Sequence, residues 1–184
     1  MLAREEFERL FEQAAGRLLL FVDLRLGPAL RARVEPQDVL QEAFLAGRDA
    51  FGADAPRAPR EFACWMCRVV ENVLRGLAHH FGARKRTPPG EAARVSAILQ
   101  SAQARGTGPL TAAGRADEHA RLGEALAALD AEPREALILR FFTDLGIDTI
   151  AERMGRSPSA VRRLLAKATA RLGADLMHGG EGER

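Results

Sequence analysis

The chain has no tyrosine, one tryptophan and two cysteines. Two thiols cannot build a disulfide framework, and they suit a reducing cytosol. No apolar run approaches the ~18 residues that a membrane span needs, so no membrane insertion is expected. The opening stretch "MLAREEFERLFEQ" is acidic and amphipathic. It lacks the basic-then-apolar order of a secretion signal, and a cytoplasmic location is expected. Also missing are a Gly-rich phosphate loop, a His–Glu pair at metal spacing and any nucleophile–base arrangement. The expectation is a protein that is not an enzyme, with no catalytic residue, no cofactor and no metal ligand. Alternating strand patterns are nearly absent, and Val, Ile and Thr are sparse outside helical spacing.

What is there is helical. Apolar residues make up 47% of the 184 positions, enough for one or two cores. They recur at intervals of three and four, which predicts an all-α protein. The formal net charge is only +2, but the charges are segregated. The first twelve residues carry four glutamates against two arginines, whereas Arg156 to Ala174 holds five basic residues and no acid. A second basic run, Arg84-Lys85-Arg86, ends the first half. Two basic patches on a near-neutral chain suggest a polyanion touched at two places, against the plainer reading of solvated helix faces.

The first lobe reads as three or four helices. One runs from Glu5 to about Leu26 and stops at Gly27-Pro28. A second begins at Pro36, a favoured first helical position. The Gly- and Pro-containing "GADAPRAP" is a loop, and a third helix runs from near Pro59 to about Phe81. Residues 87–116 hold Pro-Pro-Gly and Gly-Thr-Gly-Pro and are read as a flexible linker, with a short helix allowed around "AARVSAILQSAQ". So long a tether is unusual inside one compact domain. The chain is therefore divided into domain 1–86, linker 87–116, domain 117–177 and a disordered tail 178–184. Helices in the second domain are expected at 117–129, 133–142, 147–154 and 158–176.

The second domain carries the clearest motif. Ile147, Ile150, Ala151 and Met154 share a helix face, and Gly155 suits the left-handed residue that ends a helix. Ser157 and Pro158 are an N-cap and a first helical residue. In the following helix Val161, Leu164, Leu165, Ala168 and Leu172 form the apolar face. A short helix, a Gly-containing turn and a longer basic helix make a helix-turn-helix, whose second helix enters the major groove. Arginine can bond guanine bidentately, and Ser or Lys can reach a base or a phosphate. Ser157, Ser159, Arg162, Arg163 and Lys167 are the expected DNA-binding residues, Lys167 at a phosphate. The alternative is an amphipathic hairpin with a solvated basic face.

The segment "LDAEPREALILRFFTDLGIDTIAERMG" resembles the promoter-reading C-terminal domain of bacterial RNA polymerase sigma factors. Pro133, Arg134, Glu135, Leu137, Leu139 and Arg140 match that pattern, followed by Ile150, Ala151, Glu152 and Gly155. Gly146 stands where the family usually has a Ser or Thr cap. Response regulators have a similar helix-turn-helix, so this half alone leaves the family open. The resemblance implies recognition of a −35 element, with Arg134 and Arg140 at the DNA backbone.

In the first lobe, "QDVLQEAFLAGRDAF" resembles the sigma-factor helix that docks on the clamp coiled coil of the polymerase largest subunit. Asp38, Gln41, Glu42 and Phe44 match in order and are the expected polymerase-binding residues. By spacing, Asp38, Gln41, Glu42 and Leu45 form one stripe, suited either to a basic partner helix or to plain solvation. "EFACWMCRVVENVLRGLAHHFGARKR" resembles the family's Phe-x-x-Trp-Leu-x-Arg-Ile-x-x-Asn helix, with Phe62, Trp65, Met66, Arg68, Val69 and Asn72 in register. That helix opens and holds the −10 element. The resemblance implies that Asn72 reads a base edge and that Arg68, Arg75, Arg84, Lys85 and Arg86 contact the backbone. Trp65 is a stacking platform or, by its spacing with Phe62 and Val69, part of the core. Gly76 replaces an acid that the family often has.

Both lobes, in this order and joined by a tether, resemble the smallest sigma factors, the extracytoplasmic-function (ECF) group of the sigma-70 family. The implied partners are core RNA polymerase, through its largest-subunit clamp helices and its flap, and promoter DNA; an anti-sigma factor is left open. The competing function is a stand-alone helix-turn-helix regulator with a ligand-binding or dimerising first lobe. Cys64 and Cys67 are read as small hydrophobes rather than a zinc or redox pair, Cys64 packed inside and Cys67 facing outward. The adjacent His79 and His80 point to different helix faces and make no zinc pair with them.

Overall fold

The computed structural model describes residues 2–79 and 120–178. The chain divides into two compact units, Met1–Ala116 and Asp117–Arg184. The predicted linker 87–116, the basic run Arg84-Lys85-Arg86, His80 and tail residues 179–184 lie outside the described residues. All regular elements among the described residues are helical.

The first unit holds α1 (Leu2–Arg25), a single turn α2 (Pro28–Arg31), α3 (Pro36–Ala50) and α4 (Pro59–His79). Helix α1 begins a turn earlier than predicted and ends one residue short of Leu26. The break has a local cause. A proline disfavours helical geometry in the residue before it, so Gly27 ends α1 and Pro28 starts a new turn. Pro36 and Pro59 likewise stand first in α3 and α4, where a missing N–H costs nothing. Helix α3 has no side-chain cap, its N-cap Glu35 being extended at φ −79°; Asp38 in its first turn complements the positive end of the helix.

Helices α1, α3 and α4 pack pairwise around a cluster of phenylalanines. Phe7 meets Phe44 edge-on at 5.2 Å and Phe62 at 5.5 Å, and Phe11 meets Phe44 at 4.9 Å. Such pairs add about 0.5–1.5 kcal/mol each beyond their buried area. Helices α3 and α4 approach at Gly47. A Cβ there would stand 2.6 Å from Met66 Sδ, so the position admits only glycine without a shift of the buried methionine. A half-buried ion pair, Arg25 Nη2 to Glu71 Oε1 at 3.1 Å, joins α1 to α4.

The second unit holds α5 (residues 120–127), α6 (Ala131–Leu137), α7 (Ile147–Met154) and α8 (Pro158–His178). Helix α6 is not the regular helix 133–142 that its periodicity predicts. It starts at Ala131, and its last turn, Ile138–Phe142, widens to π geometry. The widening goes with the chain reversal that follows. Leu139 O accepts both the Leu145 N–H at 3.1 Å and the buried Thr143 hydroxyl at 2.7 Å, and Asp144 sits at φ 55°. Leu139, Ile150, Ala151 and Val161 form the buried centre, with Leu145, Ile147, Met154 and Leu165 packed against it. Helix α7 matches its predicted limits, and α8 runs two residues past its predicted end at 176.

Candidate nucleic-acid interface

The α7–α8 turn is built by its own residues. Gly155 takes the left-handed conformation, φ 62°, and the Arg156 N–H returns to Ala151 O at 2.9 Å, which closes α7. Ser157 Oγ accepts the Ala160 N–H at 3.2 Å and caps α8. Its hydroxyl also lies 3.1 Å from Ser159 Oγ, so the two serines are linked at the leading end of the helix. An ion pair between Arg156 and Glu132 ties the turn to the start of α6. Val161 and Ala168 of α8 are buried, while Ser157, Ser159, Arg162, Arg163 and Lys167 are all exposed. The exposed side of α8 can meet phosphates and base edges without disturbing the core.

Arg134 and Arg140 are engaged inside the unit. Arg134 Nη1 donates to Ala127 O at 3.1 Å, joining α5 to α6, and Arg140 Nη1 donates to Leu145 O at 3.0 Å, bracing the loop after the π turn. Each guanidinium has five N–H donors, so one bond does not exhaust it.

In the first unit α4 sorts its residues by face. Phe62, Cys64, Met66, Cys67, Val70, Glu71 and Leu74 are buried. Trp65, Arg68, Asn72 and Arg75 follow one another at intervals of three and four and form a single stripe on the other side. Arg68, Asn72 and Arg75 are exposed. Trp65 is half-buried, its ring 5.7 Å from Phe62 and 6.3 Å from Phe51. It belongs to the edge of the aromatic core and shows only part of itself along the stripe. On α3, Val39, Leu40, Ala43, Phe44 and Gly47 face inward, which turns Asp38, Gln41, Glu42 and Leu45 away from the core. Asp38 is exposed and the other three are partly so.

Known proteins resemble this sequence. Residues 119–172 match the family model of sigma-70, region 4. Over 85% of its length the chain is 29% identical to the ECF RNA polymerase sigma factor SigD of Mycobacterium tuberculosis, covering 70% of that protein. Over 89% of its length it is 23% identical to the ECF RNA polymerase sigma factor BldN of Streptomyces coelicolor, covering 58% of that protein. The region 4 match and these two relatives support an ECF sigma factor of the sigma-70 family. The region 4 match takes in α6, the α7–α8 turn and α8 as far as Leu172.

Two sequence expectations need correction. Phe44, expected among the polymerase-binding residues, is only 1% exposed and wedged against Phe7 and Phe11. It lies on the inner face of α3, one residue off the outward stripe. Cys67, expected to face outward, has no exposed surface. Burial pushes its thiol up to about 12, against a smaller opposing pull from Arg17. Cys64 is buried as expected, and Arg17 Nη2 donates to its sulfur at 3.6 Å. Among the described residues no group of three or more His, Cys, Asp or Glu could hold a metal ion.

Two pairings went unread in the sequence. The Glu132–Arg156 ion pair spans 24 residues, and no local pattern announces it. Arg75 Nη2 donates to Asn72 Oδ1 at 2.6 Å; that pair has ordinary i, i+3 spacing and could have been read from it.

Proposed function

We propose that this protein is an ECF sigma factor that directs transcription initiation as the promoter-specificity subunit of core RNA polymerase, in the cytoplasm and without chemistry of its own. The second unit reads the −35 element. Ser159, Arg162 and Arg163 face the groove, with Ser157 capping the helix and Lys167 on a phosphate. Arg134 and Arg140 contribute remaining donors to the backbone. In the first unit the α4 stripe of Trp65, Arg68, Asn72 and Arg75 receives the opened −10 strand, together with Arg84, Lys85 and Arg86. The outward stripe of α3, Asp38, Gln41 and Glu42, docks on the clamp helices of the largest subunit, and the second unit meets the flap.

The observation that carries this reading is the capped helix-turn-helix within the region 4 match. It puts a basic surface, free of acids from Arg156 to Ala174, on the exposed side of α8 while the apolar side closes the core. Run-off transcription with core polymerase tests it. This sigma factor is expected to give specific transcripts from promoters with two separated, non-palindromic elements, and to bind those promoters weakly without polymerase. Tight, polymerase-independent binding to a palindrome with no specific transcript would overturn it in favour of a stand-alone regulator.

A further inference from the structure

Asn72 does not stand loose on the α4 stripe. Arg75 reaches back one turn, with Nη2 donating to Asn72 Oδ1 at 2.6 Å and Nε donating to Glu71 O at 3.3 Å. A guanidinium carries donors and no acceptor, so the amide atom that faces it is the oxygen, and the amide is barred from flipping. Arg75 takes one of the two lone pairs of that oxygen, and the NH2 group, with two N–H donors, is the part of Asn72 turned toward a partner. An asparagine that can use both amide atoms pairs bidentately with adenine, accepting from N6 and donating to N7. One whose oxygen is held beside a guanidinium offers chiefly its donors.

We propose that Arg75 is a positioning residue that sets Asn72 as a hydrogen-bond donor toward one single-stranded base of the −10 element. It thereby selects a base with a keto oxygen at pyrimidine position 4 or purine position 6, thymine or guanine, over cytosine or adenine, which carry an amine there. The inference rests on the reading of α4 as the −10-binding helix. It departs from the expectation that Arg75 is a backbone contact. A phosphate contact weakens binding to all sequences alike and changes its salt dependence. A positioning residue changes which base is preferred.

The test uses holoenzyme assembled from core RNA polymerase and the full chain. It transcribes a pool of templates randomised through both promoter elements, each carrying a transcribed barcode. Asn72→Ala identifies the −10 position that the amide reads, as the one where base preference collapses. There the wild-type protein is expected to favour thymine or guanine over adenine and cytosine by about tenfold, the size of a modest base contact. Arg75→Ala is expected to flatten that preference and leave the other positions unchanged. Arg75→Lys keeps the charge without the planar fork and is expected to restore only part of it. Asn72→Asp, with Arg75 holding one oxygen, presents an acceptor and is expected to turn the preference toward adenine or cytosine.

If Asn72→Ala leaves every −10 preference unchanged, the reading of Asn72 as a base contact fails and the inference with it. If Asn72→Ala abolishes a preference that Arg75→Ala leaves intact, or if Arg75→Ala lowers all templates evenly, the reading stands and the positioning role is overturned. A wild-type preference for adenine or cytosine at that position also overturns it.

Discussion

Cys67 turns a sequence ambiguity into a measurable property. The same two-residue gap that invites a dithiol or zinc reading places both thiols on the buried side of α4. Burial holds the Cys67 thiol protonated up to about 12, whereas in the unfolded chain it ionises near its ordinary 9.0. A raised folded-state value means that the native state keeps a proton which the unfolded state gives up. The contribution to stability is therefore whole below pH 9 and is lost as pH rises from there toward 12, at up to about 1.4 kcal/mol per pH unit. Urea denaturation followed by Trp65 fluorescence is expected to show wild-type stability falling between pH 9 and 11 more steeply than that of Cys67→Ala. Parallel slopes would mean that the thiol is not buried as described. Spacing placed Cys67 three residues past Cys64 but could not say how wide the buried face of α4 is. With α1 and α3 both packed against α4, that face reaches Cys67.

At the scale of the element, α3 shows what periodicity reads well and where it stops. Its polar stripe and its apolar stripe were both legible, because residues three and four apart share a face. The boundary between them was not: Phe44 borders the outward stripe in sequence and belongs to the core in space. The two roles separate by mutation. Phe44→Ala is expected to destabilise the first unit by about 3–5 kcal/mol, the usual cost of removing a buried aromatic ring. Gln41→Ala is expected to leave stability within about 0.5 kcal/mol while weakening affinity for core polymerase. Urea titration and a fluorescence binding assay check the pair. A Phe44→Ala protein of unchanged stability would return that ring to the partner surface. The π turn of α6 is the complementary case. The sequence there reads as continuous helix, and the widening goes with Leu139 O receiving both Thr143 and Leu145.

On the scale of the whole molecule, charge distribution matters more than net charge. A formal +2 would mean little if the basic residues were evenly spread. The basic, acid-free span from Arg156 to Ala174 instead falls mostly on α8, and its exposed members divide into two expected roles. With holoenzyme on promoters that differ only in the −35 element, Lys167→Ala is expected to weaken binding evenly across the variants and to reduce the salt slope by about 1. Arg162→Ala is expected to cost about 1–3 kcal/mol at one base pair and to relax preference there. Equal salt effects with no change in base preference would place Arg162 at a phosphate as well.

By itself the sequence determined that this protein is helical, where its helices break, and how its helix-turn-helix is punctuated. Those features are local: proline position, a left-handed glycine, a serine cap and apolar spacing act within a turn or two of the chain. Gly155 and Ser157 take the conformations their residue types favour. Only the tertiary structure decided how far each buried face extends, and so that Phe44 and Cys67 are interior. It also paired Glu132 with Arg156. These outcomes depend on which helices pack together and which donors come within reach, and neither can be written in the spacing of one helix.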